Sequence, residues 1–454
     1  MANNLMISIS GVRGIVGQSL TPALGAKYGA AYGLYLRQSR GKRQPLVTVG
    51  RDGRPSGEMV EHAVVSGLLA VGCRVVQLGI ATTPTIGLMT QHLEADGGVV
   101  ITASHNPIEW NGLKTIRHDG CAPPKEDAKE FLNYLNADHH SFVDVDQISP
   151  LTADTTANEV HVNKITSFID VDAIREMRPK VVLDSIHGSG GPATAMLLDI
   201  LGADIVHLHA EPTGQFPGKP EPTRENVAGV GEAVRQHHAD IGFAQDPDAD
   251  RLAILDEHGE YIGEEYTLAL SAMHMLHRYG GGNLVANLSS SRMIDDVADQ
   301  FGGKVFRAAV GEANVVSKMR EVDALFGGEG NGGVIWPTIV SIRDSLVGVA
   351  LMLEFLATSA KPVSDLVQAI PSYAMIKYKV PIQEGMAAAA INKLQSVYAG
   401  LEVDLQDGIR IDWPDKWAHV RASNTEPIMR IIVEAATEEE ANALIAEVRG
   451  HISS

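Results

Sequence analysis

Apolar and polar positions follow a repeating order through most of the chain. Residues 46–49, 74–78 and 98–101 read as short strands, the last a continuous apolar run of the kind buried on both faces. Residues 22–36, 56–71 and 84–93 between them read as helices, the first opened by Thr21 as cap and Pro22 at the first helical position. After a strand at 113–116 and a helix at 125–135, residues 138–156 lose periodicity. The alternation restarts with strands at 181–184, 204–208 and 241–244 and helices at 192–201 and 229–238. A third round has helices at 266–279, 294–301, 314–321 and 345–358, with strands at 284–287, 305–308 and 325–327. Strands alternating with helices of this length predict α/β domains with mixed, mostly parallel sheets covered on both faces.

From about residue 372 the order changes. Strands at 374–380, 408–412, 418–420 and 429–434, with helices at 386–398 and 438–450, predict an α+β module with an antiparallel sheet. The expected domains are therefore residues 1–150, 151–255 and 256–370, each α/β, and 371–454, α+β. Each hands a polar loop to the end of a strand, the place where open α/β sheets present chemistry.

Composition narrows the function classes. The 454-residue chain has a formal net charge of −19 and no basic tract, which argues against nucleic-acid binding because phosphate backbones need clustered Lys and Arg. Small anionic substrates remain open where local cations overcome the overall field. Cys73 and Cys121 are the two cysteines, with no spacing for a disulfide framework or a thiolate zinc site. Without a secretory signal pattern at the start or an apolar run near the ~18 residues of a membrane span, the expectation is a cytoplasmic protein with no membrane partner. Oligomeric state is not legible in the sequence.

The candidate chemistry lies in the loops. Ile101-Thr102-Ala103-Ser104-His105-Asn106-Pro107 follows a buried strand, with Lys114 on the returning one. The stretch offers a hydroxyl, a titratable neighbour and a cation, and its plain alternative is a loop whose serine caps a helix. Asp246, Asp248 and Asp250 place three carboxylates at alternate positions after a strand, where they repel unless a divalent cation lies among them. A solvated acidic turn is the plain alternative. An EF-hand is the other rival, since Glu257 has the spacing of its last ligand, but Arg251 stands where that loop needs glycine. In Gly328-Glu329-Gly330-Asn331-Gly332-Gly333, Glu329 and Asn331 suit hydrogen bonds to sugar hydroxyls. Arg421, Ser423, Asn424 and Thr425 join a guanidinium fork to several donors, a set suited to a phosphate dianion. Near the start, Arg13 lies between glycines that let backbone approach a ligand.

Taken together, these stretches resemble the α-D-phosphohexomutases: the phosphoglucomutases, phosphomannomutases and phosphoglucosamine mutases. The resemblance runs from Arg13 to Thr425, with four loops in the right order. It implies a four-domain fold around a central cleft. It implies that Ser104 carries a phosphoryl group, with His105, Lys114, Arg13 and Arg251 beside the transfer. It also implies one Mg²⁺ held by Asp246, Asp248, Asp250 and a Ser104 phosphate oxygen. Glu329, Asn331 and the turn at Gly311 are implied to contact the sugar, and Arg421, Ser423, Asn424 and Thr425 the phosphate that is not transferred. Arg51 and Asp52 match a further stretch, Gly-Arg-Asp-x-Arg, and are read as structural.

Two departures stand out. Pro247 and Ala249 replace glycines of the usual Asp-Gly-Asp-Gly-Asp-Arg metal loop. Asn331 and Gly333 replace the serine and histidine of the usual Gly-Glu-x-Ser-Gly-His sugar loop, a variant similar to archaeal-type phosphoglucosamine mutases. The implied reaction interconverts hexose 6-phosphate and hexose 1-phosphate through a hexose 1,6-bisphosphate, with glucosamine phosphate preferred and broad glucose or mannose phosphate activity as the alternative. A phosphoserine-dependent sugar phosphatase and a non-catalytic sugar-phosphate binder are the rivals from other classes. His105, Lys114 and Arg13 are left unranked as acid or base.

Overall fold

The computed structural model describes all residues except 1–4, 9–10, 138–139, 383–385, 423–427 and 454. Four sheets follow one another along the chain. The first is mixed and seven-stranded. Leu46–Arg51, Arg74–Ile80 and Gly97–Ile101 run parallel at its centre, while Trp110–Arg117 and Gly11–Ile15 add antiparallel strands. Gly11–Ile15 is a strand whose register sets Arg13 opposite Gly112. Thr152–Ala153 closes the other edge, so this sheet takes a short strand from beyond the expected boundary at residue 150.

The second and third sheets share one plan, with three parallel strands and one antiparallel return. In the second, Ile241–Gln245 pairs in parallel with Lys180–Asp184 and antiparallel with Leu252–Leu255. In the third, Phe326–Glu329 pairs in parallel with Gly282–Asn287 and antiparallel with Gly333–Ile335. In both sheets the return makes a tight turn at the end of the central strands, and those turns hold the aspartates and the glycine-rich loop. The fourth sheet is antiparallel throughout and packs on the helices Met386–Val397 and Glu438–Ser453.

The helix Ser345–Ser359 is apolar all round, and its burial explains why: it lies in the core shared by the first three units. Asp344 caps it, accepting from the Leu346 and Val347 N–H groups at 2.9 and 3.4 Å. The other oxygen of Asp344 meets His161 Nε2 at 2.8 Å, and His161 Nδ1 meets Thr85 Oγ1 at 2.9 Å. This fully buried chain ties the first three units together directly behind the loops. Helices Ala157–Thr166 and Val171–Met177 were not expected from the sequence. Among the described residues, no helix is long and apolar enough to cross a membrane.

Candidate active site

Ser104 follows the strand Gly97–Ile101 and has a φ of 51°, a left-handed conformation that costs a non-glycine residue energy and persists only where its surroundings enforce it. Those surroundings centre on Arg54, which is buried. Its guanidinium donates to the carbonyls of Ser104 (2.6 Å), Asn106 (2.7 Å), Pro107 (2.7 Å) and Trp110 (3.0 Å). Asp52 holds that guanidinium at 3.1 Å and accepts from Thr102 Oγ1 at 2.6 Å. Arg54 thus shapes the whole serine loop. Sequence reasoning read Arg51 and Asp52 as structural and gave Arg54 no role; the one available signal was its place in the same Gly-Arg-Asp-x-Arg stretch.

Ser104 Oγ donates to Asp246 Oδ2 at 3.1 Å and lies 3.2 Å from His105 Nδ1. The serine, from the first unit, and the aspartate loop, from the second, are therefore in direct contact. Burial, then the charge of Arg251, lowers the His105 pKa to about 4, so the ring is neutral near pH 7. Arg13 donates to Asn106 Oδ1 at 2.9 Å beside the same loop.

All three aspartates are buried, and atoms from each lie within 4.8 Å of one another. Their oxygens divide in a telling way. Asp246 Oδ1 accepts the N–H groups of Asp250 and Arg251, both at 3.1 Å. Asp248 Oδ2 is taken by Lys114 Nζ at 2.9 Å and Thr83 Oγ1 at 2.7 Å. Asp250 Oδ2 is taken by Arg343 at 2.6 Å. Asp248 Oδ1 and Asp250 Oδ1 are buried with no hydrogen-bond partner. Burial, then the charges of Asp250 and Asp248, pushes the Asp246 carboxyl well up. Burial would raise Asp248 too, but Lys114 and Thr83 outweigh it and hold it down. Orphaned carboxylate oxygens converging in a buried site fit a hard divalent cation, which takes oxygen ligands. The EF-hand rival fails here, because Glu257 is turned away and bound to Ser364.

Pro247 and Ala249 are compatible with this turn, although Ala249 carries a φ of 53° that a glycine would adopt without strain. Arg251 pairs with Glu221 at 3.1 Å, and its buried Nε lies 3.9 Å from Asp250 Oδ1 without a hydrogen bond.

Glu329 is nearly buried, and all its contacts fix its direction. Oε1 accepts from Asn287 Nδ2 at 2.9 Å and the Gly311 N–H at 3.1 Å; Oε2 accepts from Arg343 at 2.7 Å. Asn331 Oδ1, in the same loop, is a buried acceptor with no partner. Arg421 pairs with Asp407 at 3.7 Å, and Glu329 lies near enough for its charge to act on Arg421. Ser423, Asn424 and Thr425 lie outside the described residues. Ser104, His105, Lys114 and the three aspartates are joined by direct contacts, and Arg343 links Asp250 to Glu329. Thr83 and Arg343 join them without having been expected, because the contacts that define them span 165 and 93 residues.

A buried serine in contact with three clustered carboxylates, beside a glycine-rich loop, is the arrangement that the resemblance to the phosphohexomutase class of isomerases implies. Matches to known proteins agree over the whole chain. The four models described as "Phosphoglucomutase/phosphomannomutase", alpha/beta/alpha domains I, II and III and C-terminal domain, match residues 6–141, 159–259, 264–373 and 375–451. The chain belongs to the phosphoglucomutase/phosphomannomutase family. A relative from Thermococcus kodakarensis named "Phosphoglucomutase/phosphomannomutase" is 41% identical, covering 95% of this chain and 94% of its own length. One from Methanopyrus kandleri named "Probable phosphoglucosamine mutase" is 37% identical, covering 96% and 95%. The crystal structure of a phosphoglucomutase/phosphomannomutase family protein from Burkholderia thailandensis matches with a TM-score of 0.85 and 27% identity, covering 98% of each chain.

Proposed function

We propose that this phosphohexomutase interconverts glucosamine 6-phosphate and glucosamine 1-phosphate through phosphorylated Ser104 and a bound 1,6-bisphosphate. The observation that carries the chemistry is the contact of Ser104 Oγ with Asp246 beside two orphaned carboxylate oxygens. The sugar hydroxyl attacks phosphorus, its O–P bond forms, and the bond from phosphorus to Ser104 Oγ breaks. The attacking hydroxyl's proton leaves to a neighbouring base. Neutral His105, adjacent to the serine oxygen, suits that role better than Lys114 or Arg13, whose side chains donate to Asp248 and Asn106. The bisphosphate then turns over, and its other phosphate returns to Ser104.

Mg²⁺, held by Asp246, Asp248, Asp250 and an oxygen of the Ser104 phosphate, would supply positive charge against the transferring phosphoryl group. Arg251 flanks that group from the metal loop. Arg421, with Ser423, Asn424 and Thr425, would hold the phosphate at rest, and hexose 1,6-bisphosphate would prime the serine. Domain boundaries near residues 150, 255 and 370 suit this plan, each unit giving one loop to the cleft.

Support for the amino sugar comes from an acceptor in the sugar loop. Asn331 Oδ1 is a buried acceptor with no hydrogen-bond partner. An oxygen of this kind suits the donors of an amino sugar. The name of the Thermococcus relative favours the second reading, a mutase of broad specificity for glucose and mannose phosphates. Steady-state kcat/KM on the three sugar 6-phosphates, with Mg²⁺ and the matching bisphosphate, separates the two. A preference of at least tenfold for glucosamine phosphate, about 1.4 kcal/mol in transition-state binding, supports the first. Equal or better rates on glucose and mannose phosphates overturn it.

A further inference from the structure

We propose that Arg343 is a positioning residue that locks the metal loop and the sugar loop to one another, so that one guanidinium sets the geometry of both cation and sugar binding. Arg343 lies in the turn before the helix Ser345–Ser359. Its fork is shared by three carboxylates, from the metal loop, the end of the strand Phe326–Glu329 and the start of the helix Glu312–Glu321: Asp250 Oδ2 at 2.6 Å, Glu329 Oε2 at 2.7 Å and Glu312 Oε2 at 3.2 Å. Glu312 Oε2 also accepts the Arg343 backbone N–H at 3.0 Å, so main chain and side chain are pinned to the same group. The next residue, Asp344, anchors that turn to the buried Thr85–His161 chain.

The consequences fall on both sites. With Oδ2 of Asp250 held by Arg343, its Oδ1 joins Asp248 Oδ1 as a buried carboxylate oxygen with no hydrogen-bond partner. With Oε2 of Glu329 held by the same guanidinium and Oε1 by Asn287 and Gly311, that carboxylate cannot rotate. The sugar loop is built to admit the arm. A Cβ on Gly333 would stand 2.2 Å from Arg343 Cδ, so glycine at the position of the family's usual histidine leaves room for the arginine. A lysine supplies one point charge and cannot bridge carboxylates in a plane as the fork does.

This inference rests on the proposed roles of the two loops, and the test separates them. Isothermal titration would measure Mg²⁺ binding, and glucosamine 6-phosphate binding in metal-free buffer where turnover is absent. The variants are Asp250→Asn, Glu329→Gln, Arg343→Gln, Arg343→Lys and Gly333→Ala, with circular dichroism melts as the folding check. Asp250→Asn should weaken the cation alone and Glu329→Gln the sugar phosphate alone. Arg343→Gln should weaken both, each by about ten- to a hundredfold, the range for groups that orient a metal's ligands. Arg343→Lys should restore the melt without restoring both affinities. Gly333→Ala, which displaces the arm but keeps its charge, should repeat the double loss and carries the test if Arg343→Gln fails to fold. A loss confined to one ligand, or under about twofold for both, in folded Arg343 and Gly333 variants overturns the proposal. Unchanged affinities in Asp250→Asn and Glu329→Gln would overturn the reading of the loops themselves, and the proposal with it.

Discussion

Replacing Arg54 with glutamine should unlatch the serine loop without disturbing the far end of the molecule. The guanidinium and its partner Asp52 are both 0% exposed, so the substitution leaves a carboxylate buried with no counter-charge. Breaking a buried pair in this way costs about 3–5 kcal/mol. The Ser104 carbonyl, buried and 2.6 Å from the guanidinium, loses a charged donor as well, whereas Pro107 is exposed and water can take its place. The local opening free energy of residues 102–106 should therefore fall by at least about 3 kcal/mol, which accelerates amide exchange more than about a hundredfold. The informative amides are those of Thr102, Ser104 and Asn106, bonded to Gly112 O at 3.0 Å, Thr102 Oγ1 at 2.9 Å and Ala103 O at 3.1 Å. Amides of the strand Ile428–Ala435 serve as the internal control. Adding Asp52→Asn removes the stranded charge, so the double variant should cost less than the two singles combined. Acceleration below tenfold at these amides, equal acceleration in the last sheet, or strict additivity would refute the latch.

Three further outcomes follow from the same geometry. Adding Mg²⁺ to chelator-treated protein should raise the melting temperature, by about 2.7 kcal/mol of stabilisation at a hundred times Kd, and Asp250→Asn should abolish the rise; no rise in the wild type contradicts the cation site. Burial pushes the Glu265 carboxyl up to about 8 despite nearby Lys377, so between pH 4.5 and 8 the folded chain keeps a proton that the unfolded chain has released. Stability then falls as pH rises through that window, and the melting advantage of Glu265→Gln should grow from pH 5 to pH 8; a constant difference refutes it. Gly330→Ala, whose Cβ would sit 2.0 Å from Glu265 Oε1, should raise KM for sugar phosphates more than it lowers kcat, and an unchanged KM would show that the loop yields freely.

Much of this molecule was legible from local pattern. Buried strands announce themselves as apolar runs, and the loops at their ends, Ser104, Asp246–Asp250 and Glu329, carry chemistry that needs those residue types at that spacing. What stayed hidden depends on partners distant in sequence. Arg54 looks like any arginine until its four carbonyl acceptors, starting 50 residues away, are seen together. Thr83 and Arg343 gain their meaning from Asp248 and Asp250 on another sheet. The strand Glu402–Asp404 escaped notice because three residues at a sheet edge carry too little pattern. The helix Val171–Met177 sets Val171, Ile174 and Met177 against the core, but seven residues are too few for a 3.6-residue period to stand out. The strand carrying Arg13 was masked by its glycines, one of which, Gly11, has a φ of 116° that suggests a turn as readily as a strand.

The most direct test of the account is phosphoryl transfer at Ser104. The protein would be incubated with ³²P-labelled glucose 1,6-bisphosphate, digested, and the peptide spanning residue 104 counted before and after a chase with unlabelled hexose 6-phosphate. The account predicts label on Ser104 that leaves during the chase into hexose bisphosphate, and no label and no turnover in Ser104→Ala. A Ser104→Ala protein that keeps mutase turnover, or a Ser104 label that the chase releases only as free phosphate, would contradict it.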